Sequence, residues 1–202
     1  MANAARAAAG LVRVLEGDGV EVITVSVITA TIPERASMLA ECRASVLAQT
    51  VDCWEHLVLV DQERDGCSKT MNKLAAKAQG EWLLPLADDD LLLPGCIETL
   101  LAHADVADVV YSPPLVWGLH DPWWMFQSPP AIPATALVRS SLWRELGGYD
   151  ETASREEDRK LWTKMVERDA RFVRASDAPT WVYRLGHGGN KSLVDRMALL
   201  AA

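Results

Sequence analysis

Basic residues are the scarcer charge in this 202-residue chain: 20 Lys and Arg stand against 28 Asp and Glu, for a net charge of −8. That balance excludes sequence-blind binding to DNA, RNA or an anionic membrane, which needs basic patches. No direct nucleic-acid partner is expected. Cysteine is sparse as well. Cys42, Cys53, Cys67 and Cys96 form no CxxC pair and are too few for a disulfide scaffold. They read as free thiols of a reducing compartment rather than as a zinc site. No apolar run approaches the roughly 18 residues of a membrane span. The Ala-rich start, Met1 to Leu15, is broken by Arg6 and Arg13 and shows no clear cleavage site before Gly17-Asp18-Gly19. It reads as a short helical extension of a cytoplasmic protein, not as a signal peptide.

What is present is half hydrophobic, 50% against 24% charged, enough for one domain with a sizeable core. The run from Val22 to Thr29 is β-branched and almost continuously apolar, which suits a central strand of a parallel sheet. Pro33 marks a helix start, and Met38, Cys42 and Val46 give the segment to Gln49 one apolar face. A second strand is predicted over Trp54 to Asp61 and a helix over Lys69 to Gln79, with Gly80 placed to end it. Trp82 to Ala87 forms a third strand, Pro94 opens a helix, and Ala107 to Tyr111 is a fourth strand. This β-α-β-α-β-α-β order predicts an α/β fold with a mostly parallel central sheet flanked by helices. Beyond it, Ser112 to Pro133 holds six prolines together with Trp117, Trp123 and Trp124. A loop of that length is usually functional. A strand at Ala134 to Val138, helices at 140–146 and 155–168, short strands at 171–174 and 180–184, a loop at Gly186 to Gly189 and a helix from Lys191 to Ala201 complete the reading.

Three consecutive aspartates, Asp88, Asp89 and Asp90, follow the third strand. Carboxylates so close cannot all stay ionised in a dry site; they need water, a cation or a helix N-terminus. Parallel strands end on one edge of a sheet, where ligands bind in open α/β folds. Thr29, Ala30, Thr31, Asp61 and the triplet therefore converge on one crevice. Mg²⁺ or Mn²⁺ bridging to a phosphate-bearing ligand suits that carboxylate oxygen set. A solvated turn before the Pro94 helix is the plainer alternative, as is a loop-capping turn for Asp61.

Four motifs, in this order and spacing, resemble family 2 glycosyltransferases, whose nucleotide-sugar-binding fold is GT-A. The stretch Val25 to Thr31 is similar to the family's opening strand. Asn72, with Ala78-Gln79-Gly80-Glu81, is similar to the lead into the metal motif. Leu86 to Leu92 resembles the DxD motif itself. Leu146 to Asp150, then Glu157-Asp158 and Leu161-Trp162, resembles the late segment carrying the catalytic base. The resemblance implies a single GT-A domain: an extension at 1–20, a nucleotide-binding half at 21–112, an acceptor half at 113–186 and a C-terminal loop and helix at 187–202. It also implies an inverting, metal-dependent transferase using a nucleotide-diphosphate sugar, UDP- or GDP-linked, with Mn²⁺ or Mg²⁺. The chain departs from the pattern at Ala87, Gln62 and Ile32, where the family usually has two acids and an aromatic. Aligned in this way, Asp89 is the metal ligand, Asp90 a second, and Asp88 faces ribose or metal.

The remaining candidates keep two readings each. Asp158 is the general base by resemblance; by its run, Arg155 to Arg159, it is a solvated first helical turn. Glu157 competes for that role or contacts the acceptor. His187 either closes over the metal or is a loop histidine. Arg35, Lys69 and Lys73 either pair with phosphate or face solvent. Trp123 and Trp124 either build the acceptor wall or plug the core. The acceptor is a saccharide, lipid or protein hydroxyl, and the Ala198 to Ala202 tail could serve a homodimer. The alternatives are a non-catalytic nucleotide-sugar or metal-binding module and a sugar-phosphate nucleotidyltransferase. The second needs a Gly-rich phosphate loop, and Thr29 to Arg35 has no glycine.

Overall fold

The structure, a computed structural model, describes residues 11–13, 24–117, 132–153 and 156–184. In chain order the elements are β1 (Leu11–Arg13), β2 (Val25–Thr31), α1 (Ala36–Leu47), β3 (Trp54–Val60), α2 (Cys67–Lys77), β4 (Trp82–Pro85), β5 (Leu91–Leu92), α3 (Cys96–Leu101), β6 (Val109–Tyr111), β7 (Pro114–Trp117), β8 (Ala136–Arg139), α4 (Ser140–Glu145), α5 (Glu157–Val166), β9 (Phe172–Arg174) and β10 (Trp181–Arg184). Among the described residues no helix is long and apolar enough to cross a membrane.

Seven strands form one sheet in the order β1-β3-β2-β4-β8-β6-β9. The β-branched run places β2 at its middle, paired in parallel with β3 and β4 and buried along almost its whole length. Side chains alternate across it. Val25 and Val27 join Val46 of α1 and Ile97 of α3 on one face; Ile28 joins Leu74 of α2, Trp143 of α4 and Trp162 of α5 on the other. The result is a sheet between two helical layers, mostly parallel as expected. The fourth predicted strand, however, does not neighbour the third. The chain returns through β8, which lies antiparallel to both β4 and β6 and separates them. Its residues Ala136, Leu137 and Val138 are fully buried, so this short apolar run tolerates a central place.

A second sheet, β5-β10-β7, packs its Trp181 into the same core as Val25. At the other edge, Leu11–Arg13 is a strand and not part of a helix: it pairs antiparallel with β3, Leu11 opposite Leu57. The physical reason is the free edge of β3, whose unpaired backbone groups take a partner. The expected helix at Lys191 to Ala201 lies outside the described residues.

Gly80 does not cap α2, which ends at Lys77. It is where the chain crosses β2. The Gly80 amide donates to Ser26 Oγ at 2.9 Å, and Ser26 Oγ donates to Glu55 at 2.6 Å. A Cβ there would sit 2.6 Å from the Ser26 nitrogen and 2.8 Å from the Val25 carbonyl carbon. Both are backbone atoms of a central strand and cannot retreat. Gly80→Ala is therefore expected to cost about 2–3 kcal/mol and to lower Tm by roughly 5–10 °C. An unchanged melting curve would show that β2 can yield at this point.

Candidate active site

The strands β2, β3 and β4 point the same way, so their C-terminal ends meet. Thr31 closes β2, and its carbonyl accepts the Asp61 N–H at 2.7 Å. The Asp61 carboxylate accepts from the backbone N–H groups of Asp65 at 2.9 Å and Gly66 at 2.8 Å, shaping the loop into α2. A cleft of about 490 Å³ opens over this edge. Ala30, Thr31, Arg35, Asp61 and Asp88 to Asp90 line it together with Tyr149, Glu156, Glu157 and Asp158.

The aspartate triplet is buried, and its members have different partners. Asp88 accepts from Thr31 Oγ1 at 2.6 Å and from Arg35 Nη1 at 2.7 Å. The same arginine nitrogen reaches Asp89 Oδ2 at 3.2 Å, so one guanidinium joins two carboxylates. Asp90 Oδ1 accepts the backbone N–H of Arg184 at 3.0 Å, which ties the triplet to the end of β10. Burial, reinforced by the negative charge of Asp89, holds the Asp90 carboxyl well above the usual carboxylate range. Among the described residues no three His, Cys, Asp or Glu side chains form a closed metal cage. The hard oxygen donors on the cleft floor fit a cation that takes one or two carboxylates and fills its other positions with phosphate oxygens and water.

In the same cleft lining, Glu157 and Asp158 form the first turn of α5. Glu156, just before it, has φ +59°, a left-handed conformation that few side chains adopt. Burial, with Glu157 adding its charge, pushes the Asp158 carboxyl up to about 6, against the opposing hydrogen bond from the Arg159 N–H. A carboxyl near 6 is ionised at neutral pH and is a stronger base than a free one.

The glycosyl transferase family 2 model matches residues 57–156, from β3 through the triplet to the residues before α5. Over those residues the chain is similar to a glycosyl transferase family 2 domain. Solved structures share its GT-A fold. Staphylococcus aureus TarS 1–349 in complex with UDP-GlcNAc is 18% identical, with a TM-score of 0.68 over 84% of this chain and 60% of that one. TarS, in a further S. aureus structure, is 19% identical, with a TM-score of 0.65 over 88% of this chain and 39% of that one. The mannosyltransferase PcManGT from Pyrobaculum calidifontis, in complex with GDP-Man and Mn²⁺, is 17% identical, with a TM-score of 0.68 over 91% of this chain and 64% of that one. The chain thus spans less than two thirds of each of these structures. A search of curated proteins finds no match.

Other candidate residues stand away from the cleft lining. Thr29 is fully buried, and its hydroxyl shares a 3.0 Å hydrogen bond with His56 Nε2 inside the sheet. Lys69 and Lys73 both pair with Asp65, at 2.6 and 2.5 Å. Asn72 binds the backbone of Tyr149. Trp123, Trp124 and His187 lie outside the described residues. The structure adds Met71, Tyr149, Glu156 and Tyr183 to the cleft wall. Tyr149 was within reach of sequence reasoning, since it stands in the Gly147 to Asp150 motif. Nothing in the sequence marks Glu156 or Tyr183.

Proposed function

We propose that the chain moves a hexosyl group from a nucleotide-diphosphate sugar to an acceptor hydroxyl, with inversion at the anomeric carbon. The observation that carries this reading is the position of Asp158: one cleft sets a carboxyl of pKa about 6 against the aspartate triplet at the sheet edge. The solved relatives support a nucleotide-sugar donor, UDP-linked in one case and GDP-linked in the other, the latter with Mn²⁺.

The donor nucleotide lies along the C-terminal edge of the sheet, with Ala30, Thr31 and Asp61 beside its base and ribose. Asp88, clamped by Thr31 and Arg35, faces the ribose or the metal. Asp89 would hold Mn²⁺ or Mg²⁺, with Asp90 as a second ligand and His187 as a third. Charge neutralisation of the diphosphate leaving group is what the metal supplies when bound. Asp158 accepts the proton of the acceptor hydroxyl as its oxygen bonds to the anomeric carbon. The bond from that carbon to the diphosphate oxygen breaks on the opposite face. The acceptor is a saccharide, lipid or protein hydroxyl, for which Trp123 and Trp124 are the proposed stacking partners.

The test is a thermal-shift and calorimetric screen of UDP, GDP and their sugars, with and without Mn²⁺. A donor at ~100 times its Kd stabilises by about 2.7 kcal/mol, which moves Tm by roughly 5–10 °C. Asp89→Ala is expected to weaken metal-dependent binding of the nucleotide diphosphate by ~10–100-fold. Unchanged affinity in that variant would remove Asp89 from the metal. Donor binding with neither transfer nor slow donor hydrolysis would mark a binding module instead of an enzyme.

A further inference from the structure

The helix α2 belongs to the part of the sheet that ends in Asp61, and the turn Gly147 to Asp150 to the part that leads to Asp158. One side chain joins them. Asn72 Nδ2 donates to the Tyr149 carbonyl at 2.9 Å, and the Tyr149 N–H donates to Asn72 Oδ1 at 2.9 Å. A side-chain amide that both donates to and accepts from one residue's backbone acts as a strand of a single residue, fixing both position and rotation. The turn is shaped to this amide. Gly147 and Gly148 have φ +77° and +70°, and a Cβ on Gly148 would overlap Asn72 Oδ1.

The grip extends to the base. The Tyr149 ring packs on Trp143 at 4.6 Å between centroids and lines the cleft with Asp158. Asp150, next in the turn, accepts from Lys160 Nζ at 2.9 Å, on the same helix as Asp158. Asn72 Nδ2 also donates to Glu151 Oε1 at 3.1 Å, and with its amide engaged on this turn Asn72 stands outside the cleft lining.

We propose that Asn72 is a positioning residue: by clasping the backbone of Tyr149 from α2, it holds the wall against which Asp158 works, and it does not bind the donor. The proposal rests on the reading of Asp158 as the general base. Glu156 and Glu157 face that carboxyl from the start of α5, Tyr149 from the turn, Cys67 from α2 and Tyr183 from β10. Loosening Tyr149 admits water to the carboxyl and relieves its desolvation.

The experiment is a carbon-detected NMR titration of the Asp158 carboxyl, assigned by its disappearance in Asp158→Asn. It compares the full-length wild type, Asn72→Ala and Asn72→Gln, with UDP and GDP affinities measured by calorimetry on the same samples. Asn72→Gln keeps the amide but makes it one methylene too long for the clasp, and it serves if Asn72→Ala does not fold. The expected result is a fall of about one pH unit in the Asp158 midpoint, with nucleotide affinity unchanged. An unmoved Asp158 midpoint in a folded variant overturns the proposal. So does a tenfold loss of nucleotide affinity. Full turnover in Asp158→Asn would instead defeat the base assignment and leave the NMR comparison intact, so the two failures are distinguishable.

Discussion

Asp158→Asn is expected to abolish sugar transfer and, at pH 8, to raise the melting temperature. The amide keeps the shape of the side chain and loses its ability to take a proton. A positioned base contributes ~10²–10⁴-fold to a rate, and a loss of that order is expected in kcat with nucleotide affinity retained. The gain in stability follows from the raised carboxyl. Its folded-state value of about 6 lies above the ordinary 3.8, so the fold favours the protonated form. That favourable term is fully present below pH 3.8 and is lost as pH rises through 6. At pH 8 the wild-type fold therefore carries an unfavourable charge that the amide variant lacks, and at pH 4 the two differ little. Calorimetric melts at both pH values, beside product formation, check the two halves together. In the wild type, kcat should rise with pH through about 6. Undiminished transfer in the variant, or equal melting temperatures at pH 8, would contradict the assignment. The pattern is that of a site kept strained for its work.

Gly148→Ala is expected to be the most damaging small substitution in the turn Gly147 to Asp150. The methyl would overlap Asn72 Oδ1 and lie 2.7 Å from Trp143 Nε1, at a residue with φ +70°. The left-handed conformation alone costs an L-residue about 1–2 kcal/mol. Forcing atoms into a packed site adds roughly 1–3 kcal/mol. Together these should lower Tm by roughly 5–15 °C. Gly147→Ala is the internal control: φ is +77°, yet nothing lies within 4 Å of its added Cβ. It should show the backbone cost and no more. Equal losses in the two variants, measured by denaturant titration, would mean that the clasp around Asn72 yields without cost.

The parts of this fold legible in the sequence are those decided locally. The apolar β-branched run of β2 and the short apolar run of β4 could only be buried strands. The triplet follows β4 after only Leu86 and Ala87, so its place on the sheet edge came with the strand. What stayed hidden depends on partners far along the chain. The insertion of β8 between β4 and β6 is a pairing choice that no four-residue pattern records. Two-residue β5 is a strand only because β10 lies beside it. Arg35, read either as a phosphate partner or as a solvent-facing side chain, meets carboxylates 53 and 54 positions away. Asn72 carried a recognisable motif, but the backbone it holds lies 77 positions on. The left-handed turn at Glu156 has no glycine to announce it.

The antiparallel strand β8 also sets a timetable for synthesis. While the chain grows from its N-terminus, β2, β3 and β4 can assemble early, but β4 keeps one bare edge until Ala136–Arg139 has been made. The strand β6 waits longer still, since its partners are β8 and then β9. The nascent protein thus passes through a stage in which unpaired strands await late segments, the stage at which folding chains are most prone to aggregate and most in need of chaperones. A polypeptide released before Arg139 would lack the strand that joins its two flanks, and the cleft could not be built in instalments.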